Sequence, residues 1–315
     1  MTAALIMLGY AVALAWLGPG PLARLTAGGV NARLGLAVWL VAMASALAAA
    51  VTAVAFLVRT AVDGWPTFAG TICQSVTGAP CSPQLYRSAI FEGSTAAASA
   101  LAVLTLMAMS WRYGRSVHGS RRRASEHAQA ARITGRSFPA AAIPPLSTAV
   151  VLETPQPAVY CVPGRPATIV LTTGALAVLD QPQLLAVLAH EHAHLAGRHH
   201  LLVTLGKAAR TGLPGVPLFT RGADEVSRLA EMRADDVAAR RRGRDTLLQA
   251  LVAMGTGRPL SAPPAALAAT GGAVTVRVSR LLDPPSGTSR TCHAIALAAV
   301  LLALAAVSVV LPVLS

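Results

Sequence analysis

His190, Glu191 and His194 stand in the order H-E-x-x-H. Four residues advance an α-helix by a little more than one turn, so the two imidazoles lie on one face, one above the other. From there both can reach a single Zn²⁺, and a glutamate beside the first ligand can reach a water that such an ion makes acidic. The chemistry this predicts is hydrolysis, with Glu191 taking the water's proton. A structural helix with incidental histidines is the alternative, but burying two unpaired imidazoles and a carboxylate would be costly. His192 falls on the opposite helix face. His199 and His200 lie beyond Gly197 and are expected as polar caps or surface residues.

A catalytic zinc needs a third protein ligand and one open position. The best candidate is Glu231, in Glu231-Met232-Arg233-Ala234-Asp235. Asp235, one turn on, could accept a hydrogen bond from the ring nitrogen that a ligand histidine does not give to the metal. On spacing alone, a solvated face pairing Glu231 and Asp235 with Arg228 or Arg233 is an equal alternative. Asp236, Asp224 and Glu225 are lesser candidates. Arg277 and Arg280 are candidate oxyanion partners without a supporting pattern.

A helix has to carry the motif, and its start is the clearest in the chain. Asp180 suits an N-cap, Gln183 completes a capping box, and Pro182 is acceptable in the first turn. The helix runs through the apolar stretch 184–189 into the motif, and Gly197 ends or bends it. Upstream, the proline-rich stretch 137–166 holds short strands at 148–152 and 158–162, and a turn at 163–166 leads to a third strand at 167–172. That third strand is the expected docking edge for a substrate peptide. Residues 211–222 are expected as a loop, 223–242 as the helix carrying Glu231, and the rest to 290 as helix with proline breaks at 263–264 and 284–285. Residues 112–136 are expected to continue the preceding span as a helix.

The chain's 315 residues are 54% hydrophobic and 12% charged, with a mean hydropathy of +0.57. A soluble domain carries about 25% charged residues, so disorder and an ordinary soluble enzyme are both excluded. The fold class expected is a mostly α membrane protein with four transmembrane helices. An α+β zincin-like metallopeptidase domain sits between spans three and four. The candidate spans are Thr2–Leu17, Leu34–Val58, Thr95–Trp111 and Ala294–Leu314. The first is short but lacks the basic start and small-residue cleavage site of a signal peptide, so it is taken as uncleaved. The domains are then 1–111 with an outward loop at 59–94, the peptidase domain at 112–292, and the last span at 293–315.

Arg24 and Arg33 in the first loop and the arginines at 112–123 mark cytoplasmic flanks, which places both termini outward and the peptidase domain in the cytoplasm of a multi-pass cell-membrane protein. Cys73 and Cys81 share the outward loop and are a candidate disulfide; Cys161 and Cys292 have no partner spacing. The net charge is +13. Four of the 26 cations and two of the 13 acids precede Arg112, leaving 22 against 11 in the peptidase segment. Retention at an anionic lipid surface explains that excess, and no direct nucleic-acid partner is expected.

The H-E-x-x-H helix, preceded by Ile169–Gly174 and followed by Glu231-x-x-x-Asp235, resembles membrane-embedded gluzincin metallopeptidases. Within that clan, three spans, a cytoplasmic protease domain and a fourth span resemble the BlaR/MecR-type antibiotic-sensor transducers. The resemblance implies His190, His194 and Glu231 as zinc ligands, Glu191 as base and Asp235 as the support of a ligand histidine. It also implies a protein substrate of the DNA-binding repressor kind. Those transducers carry an extracellular penicillin-binding domain after the last span. This chain ends at Ser315, so β-lactam sensing through an acylated serine is not expected. Self-cleavage, a quality-control protease like the heat-shock gluzincins, and a non-catalytic receptor with structural zinc are the competing readings. Homodimerisation is left open.

Overall fold

The computed structural model describes residues 2–77, 83–138, 147–164, 166–257, 272–284 and 286–314. The apolar runs form long helices. α1 (Thr2–Leu17) meets α2 (Pro19–Thr26) at a 47° bend, and only if this pair counts as one span does it join the apolar helices long enough to cross a membrane. Among the described residues three helices meet that criterion outright: α3 (Ala32–Thr77), α4 (Pro83–Thr134) and α11 (Gly287–Leu314). Their apolar windows are Ala32–Trp65, Ala89–Thr134 and Thr288–Val307.

The outward loop expected at 59–94 is instead mostly helix, because α3 runs on to Thr77 and α4 begins at Pro83. Charges interrupt a hydropathy run without ending a helix. Arg59 and Asp63, at i and i+4, even support it across 3.7 Å at the surface. The proposed pairing of Cys73 with Cys81 lies outside the described residues.

Between α4 and α11 the chain centres on a four-stranded sheet. β1 (Arg136–Ser137), β2 (Ser147–Leu152), β3 (Val159–Val162) and β4 (Ala167–Thr172) lie in the order β1-β2-β4-β3. β2 and β4 run parallel, while β3 pairs antiparallel with β4. The segment at 167–172 is therefore an interior strand, and Ile169, Val170 and Leu171 are fully buried. Interior strands of this kind read as apolar runs because both faces are covered. One face is covered by the end of α4, where Ala128 and Ala131 pack on Val150, Val162 and Val170.

α5 (Thr173–Val178) follows at once, and the other sheet face is covered by α6 (Gln181–Ala196), where Leu188 packs with Ala149, Val151, Ile169 and Leu171. α6 begins as the sequence predicts. Asp180 accepts from the Gln183 backbone at 2.8 Å, and the Gln183 side chain accepts from the Asp180 backbone at 3.2 Å. α7 (His199–Gly212) and α8 (Pro217–Arg242) leave only residues 213–216 between them, so the expected loop at 211–222 is much shorter. Pro217 at the first helical position starts α8 early rather than breaking it. α9 (Arg244–Thr256) and α10 (Gly272–Leu282) complete the domain.

Among the described residues the largest core cluster joins the apolar helix α3 to α8. Trp39 and Met43 of α3 pack with Leu218, Phe219, Val226 and Leu229 of α8. Trp39 is 0% exposed, and its indole donates to Thr26 Oγ1 at 3.1 Å. The turn before α3 fits against the same helix: Gly29 has φ +57°, and a Cβ there would collide with the Met232 sulfur.

Candidate metal centre

α6 presents His190 and Glu191 buried and His194 one turn further on. The two Nε2 atoms approach to 3.1 Å. α8 brings Glu231 to the same point, with its carboxylate oxygens 3.5 Å from His190 Nε2 and 3.4 Å from His194 Nε2. Among the described residues, this is the group whose donor atoms converge closely enough to hold a metal ion. Two imidazole nitrogens and a carboxylate oxygen suit a borderline divalent cation and leave a position open.

Asp235, one turn beyond Glu231, is 1% exposed. Its Oδ1 lies 3.0 Å from His190 Nδ1. A carboxylate at that nitrogen favours the proton there and frees Nε2 for the metal. A lone buried carboxylate would be costly, and Arg277 of α10 removes the cost. Its Nε and Nη2 donate to the two Asp235 oxygens at 2.8 and 2.7 Å, while Nη1 reaches Glu231 Oε2 at 3.2 Å. Arg277 thus positions the third ligand and its support, a role its place in the sequence does not reveal.

The alternative of a solvated Glu231–Asp235 face does not hold. Arg228 instead grips Glu225 at 2.6 Å and the Thr26 and Ala27 carbonyls. The lesser candidates are engaged elsewhere too: Asp224 pairs with Arg210, and Asp236 pairs with Arg280.

The electrostatics follow from burial and these partners. Burial lowers the His190 imidazolium, but Asp235 and Glu231 outweigh it and hold His190 raised to about 9. His194 is lowered to about 4 by burial and by His190. Burial would raise Glu231, yet His190, His194 and Arg277 bring it down to about 2. Asp235 is held low against burial by Arg277 and His190. Glu191 is raised, with burial as the main cause.

His199 is a correction to the expectation of a surface or capping residue. Arg198 adopts a left-handed φ of 49° between α6 and α7, which folds His199 back onto the motif helix. His199 is 4% exposed, and its Nδ1 lies 3.1 Å from His194 Nδ1. His192 keeps to the other face, and its imidazolium is lowered by burial and by Arg241.

The centre opens into a cleft of about 540 Å³ whose far wall is β3, through Val159, Tyr160 and Cys161. β3 is a terminal strand of the sheet. The strand at 167–172, expected as a docking edge, has both neighbours filled, and the edge beside the centre is 159–162. The Cys161 thiol is held high by burial and then by the Glu191 carboxylate, with which it shares a hydrogen bond.

Residues 122–213 match the model of peptidase family M48. No curated protein and no solved structure matches the chain. The family match supports a metal-dependent peptidase. It covers the sheet, the motif helix and all of α7, and it stops before Glu231, Asp235 and Arg277, which the fold brings to the motif independently.

Proposed function

We propose that this chain is a membrane zinc endopeptidase that cuts extended segments of protein substrates. The observation that carries it is the meeting of Glu231 with His190 and His194 beside Glu191 and a free strand edge. His190, His194 and Glu231 would hold the ion, and zinc bound there would supply Lewis acidity to a water and to the peptide carbonyl. Glu191 takes the proton of the attacking water and returns it to the departing amide nitrogen. Its raised affinity for protons, a consequence of burial, suits both halves of that exchange. β3 offers its open edge to an extended peptide, with Tyr160 and Cys161 beside the scissile bond. Of the two candidate oxyanion partners, Arg277 is occupied by Asp235 and Glu231, and Arg280 is paired with Asp236.

Extended binding requires a substrate with a flexible linker. A two-domain repressor offers one. Regulated proteolysis of such a substrate on the cytoplasmic side is the reading we favour, with the arginines at 24, 33 and 112–123 as inside flanks and both termini outward. Among the described residues three protein donors converge rather than four, which speaks for catalysis over a structural zinc.

The test is a Glu191→Gln chain expressed in place of the native one. It should bind zinc at the native stoichiometry and cut nothing, with activity lower by about 10²–10⁴. One full-length regulator accumulating intact supports regulated proteolysis. Accumulation of many misfolded membrane proteins points to quality control. Undiminished cleavage overturns the assignment of the base.

A further inference from the structure

A second polar cavity lies away from the metal centre, where the peptidase domain meets the ends of two spans. It encloses about 250 Å³ and is lined by Arg33, Arg233, Arg240, Arg244, Arg280 and Arg290, with Asp236 as the acid among its lining residues. Asp236 is already paired with Arg280 at 2.8 Å. Among the described residues none of the other five arginines has an ion-pair partner. Like charges gathered without an anion repel one another.

Arg280 adds an independent observation. Its side chain is 10% exposed, and Nη2 is satisfied by Asp236 and by the Gly29 carbonyl at 2.9 Å. Its Nε is fully buried and has no partner. A buried charged N–H left unmade costs more than the mean worth of a hydrogen bond, so this donor calls for an acceptor. The rim carries further donors. α3 begins here at Ala32, and the first-turn N–H groups of an α-helix have no partner within the helix and favour anions. The Asn31 side chain donates to the Arg290 carbonyl at 2.7 Å, tying the start of α3 to that of α11.

From this we infer that the cavity between α3, α8, α10 and α11 is a binding site for a phosphate group. Planar guanidinium forks match phosphate oxygens two at a time, and five forks without an ion-pair partner around one cavity exceed what a carboxylate needs. The spans of α3 and α11 both begin at its edge, Ala32 and Thr288, so the cavity sits at the depth of lipid headgroups. The phosphodiester of an anionic phospholipid is the source closest to hand; a soluble phosphate compound presents the same chemistry.

The experiment uses the full chain in a neutral detergent and follows its Tm against ligand concentration. The probes are short-chain phosphatidylglycerol, the matching diacylglycerol without phosphate, and inorganic phosphate with chloride of equal ionic strength as control. Phosphatidylglycerol should stabilise the protein saturably while diacylglycerol does not. The Arg233→Gln/Arg240→Gln/Arg290→Gln chain should bind it about tenfold or more weakly, having lost charge-assisted bonds. Should that chain not fold, Arg290→Gln alone, whose side chain is exposed, should show a smaller loss in the same direction. If inorganic phosphate stabilises as well as the lipid, the source is soluble and the site stands. Phosphatidylglycerol no better than diacylglycerol together with phosphate no better than chloride overturns the site. So does binding that the arginine substitutions leave unchanged.

Discussion

The two halves of the metal centre hang from different structures. His190, Glu191 and His194 ride on α6, which starts at a capping box and lies on the sheet through Leu188. Glu231 and Asp235 ride on α8, whose Leu218, Phe219, Val226 and Leu229 are buried against Trp39 and Met43 of α3, a helix apolar and long enough to cross a membrane. The first half is a soluble motif that local rules can build. The second has its position fixed by the apolar helix α3 and by Arg277 reaching across from α10. The base and two ligands can therefore be in order while the third ligand is not, and perturbations should separate the halves.

The largest separation is expected from Trp39→Ala. Removing a fully buried indole from the shared core should cost about 3–5 kcal/mol. Hydrogen exchange should rise along α8 and metal content should fall, while the amides of α6 keep their protection. Equal loss of protection in α6 would mean that the halves are one unit. Arg277→Gln comes next. It leaves both cores intact but frees Asp235 and Glu231, and metal affinity measured by competition with a chelator should fall about 10–100-fold.

Asp180→Ala strikes the other half. Loss of the capping box should lower stability by about 1 kcal/mol in a thermal melt and leave metal affinity unchanged. The smallest signal is protonic. Without metal, His190 keeps its proton below about 9, while His194, lowered to about 4, is already neutral at pH 7.5. Zinc uptake at that pH should therefore displace about one proton from His190, and affinity should climb as pH rises toward 9. Calorimetry in buffers of different ionisation enthalpy measures it; uptake without proton release would put a neutral His190 in the metal-free site.

What was legible in the sequence follows the same division. The strands at 147–152, 159–162 and 167–172 and the helix from Asp180 to Gly197 are written in neighbouring residues, as β-branched runs, a capping pair and a terminal glycine. Arg277 was not legible as a clamp, because its partner Asp235 is 42 residues away and no spacing rule connects them. His199 was missed because a non-glycine residue, Arg198, takes the left-handed turn that folds it back. The docking strand was misplaced because strand order is a non-local property: β4 pairs with β2 across the β3 segment and so becomes interior. The segment 59–94 was misread because its charges mark where hydropathy falls, and helicity does not follow hydropathy.

α4 carries one mechanical consequence. Its 52 residues form one continuous helix, about 78 Å long at 1.5 Å per residue, of which one part is apolar span and the other reaches the sheet. Its far end is fastened there: His127 meets the Tyr160 hydroxyl at 2.9 Å, and Arg132 donates to the Pro166 carbonyl at 3.1 Å and to Thr168 at 3.3 Å. Such a rod is a lever. A tilt of about 5° around a pivot near the middle of the bilayer would swing its tip by roughly 4 Å, given that length. That is most of the spacing between neighbouring strands. The tip is attached to β3, so a change of bilayer thickness or a pull on the other end of α4 would be delivered as a shift of the strand that faces Glu191.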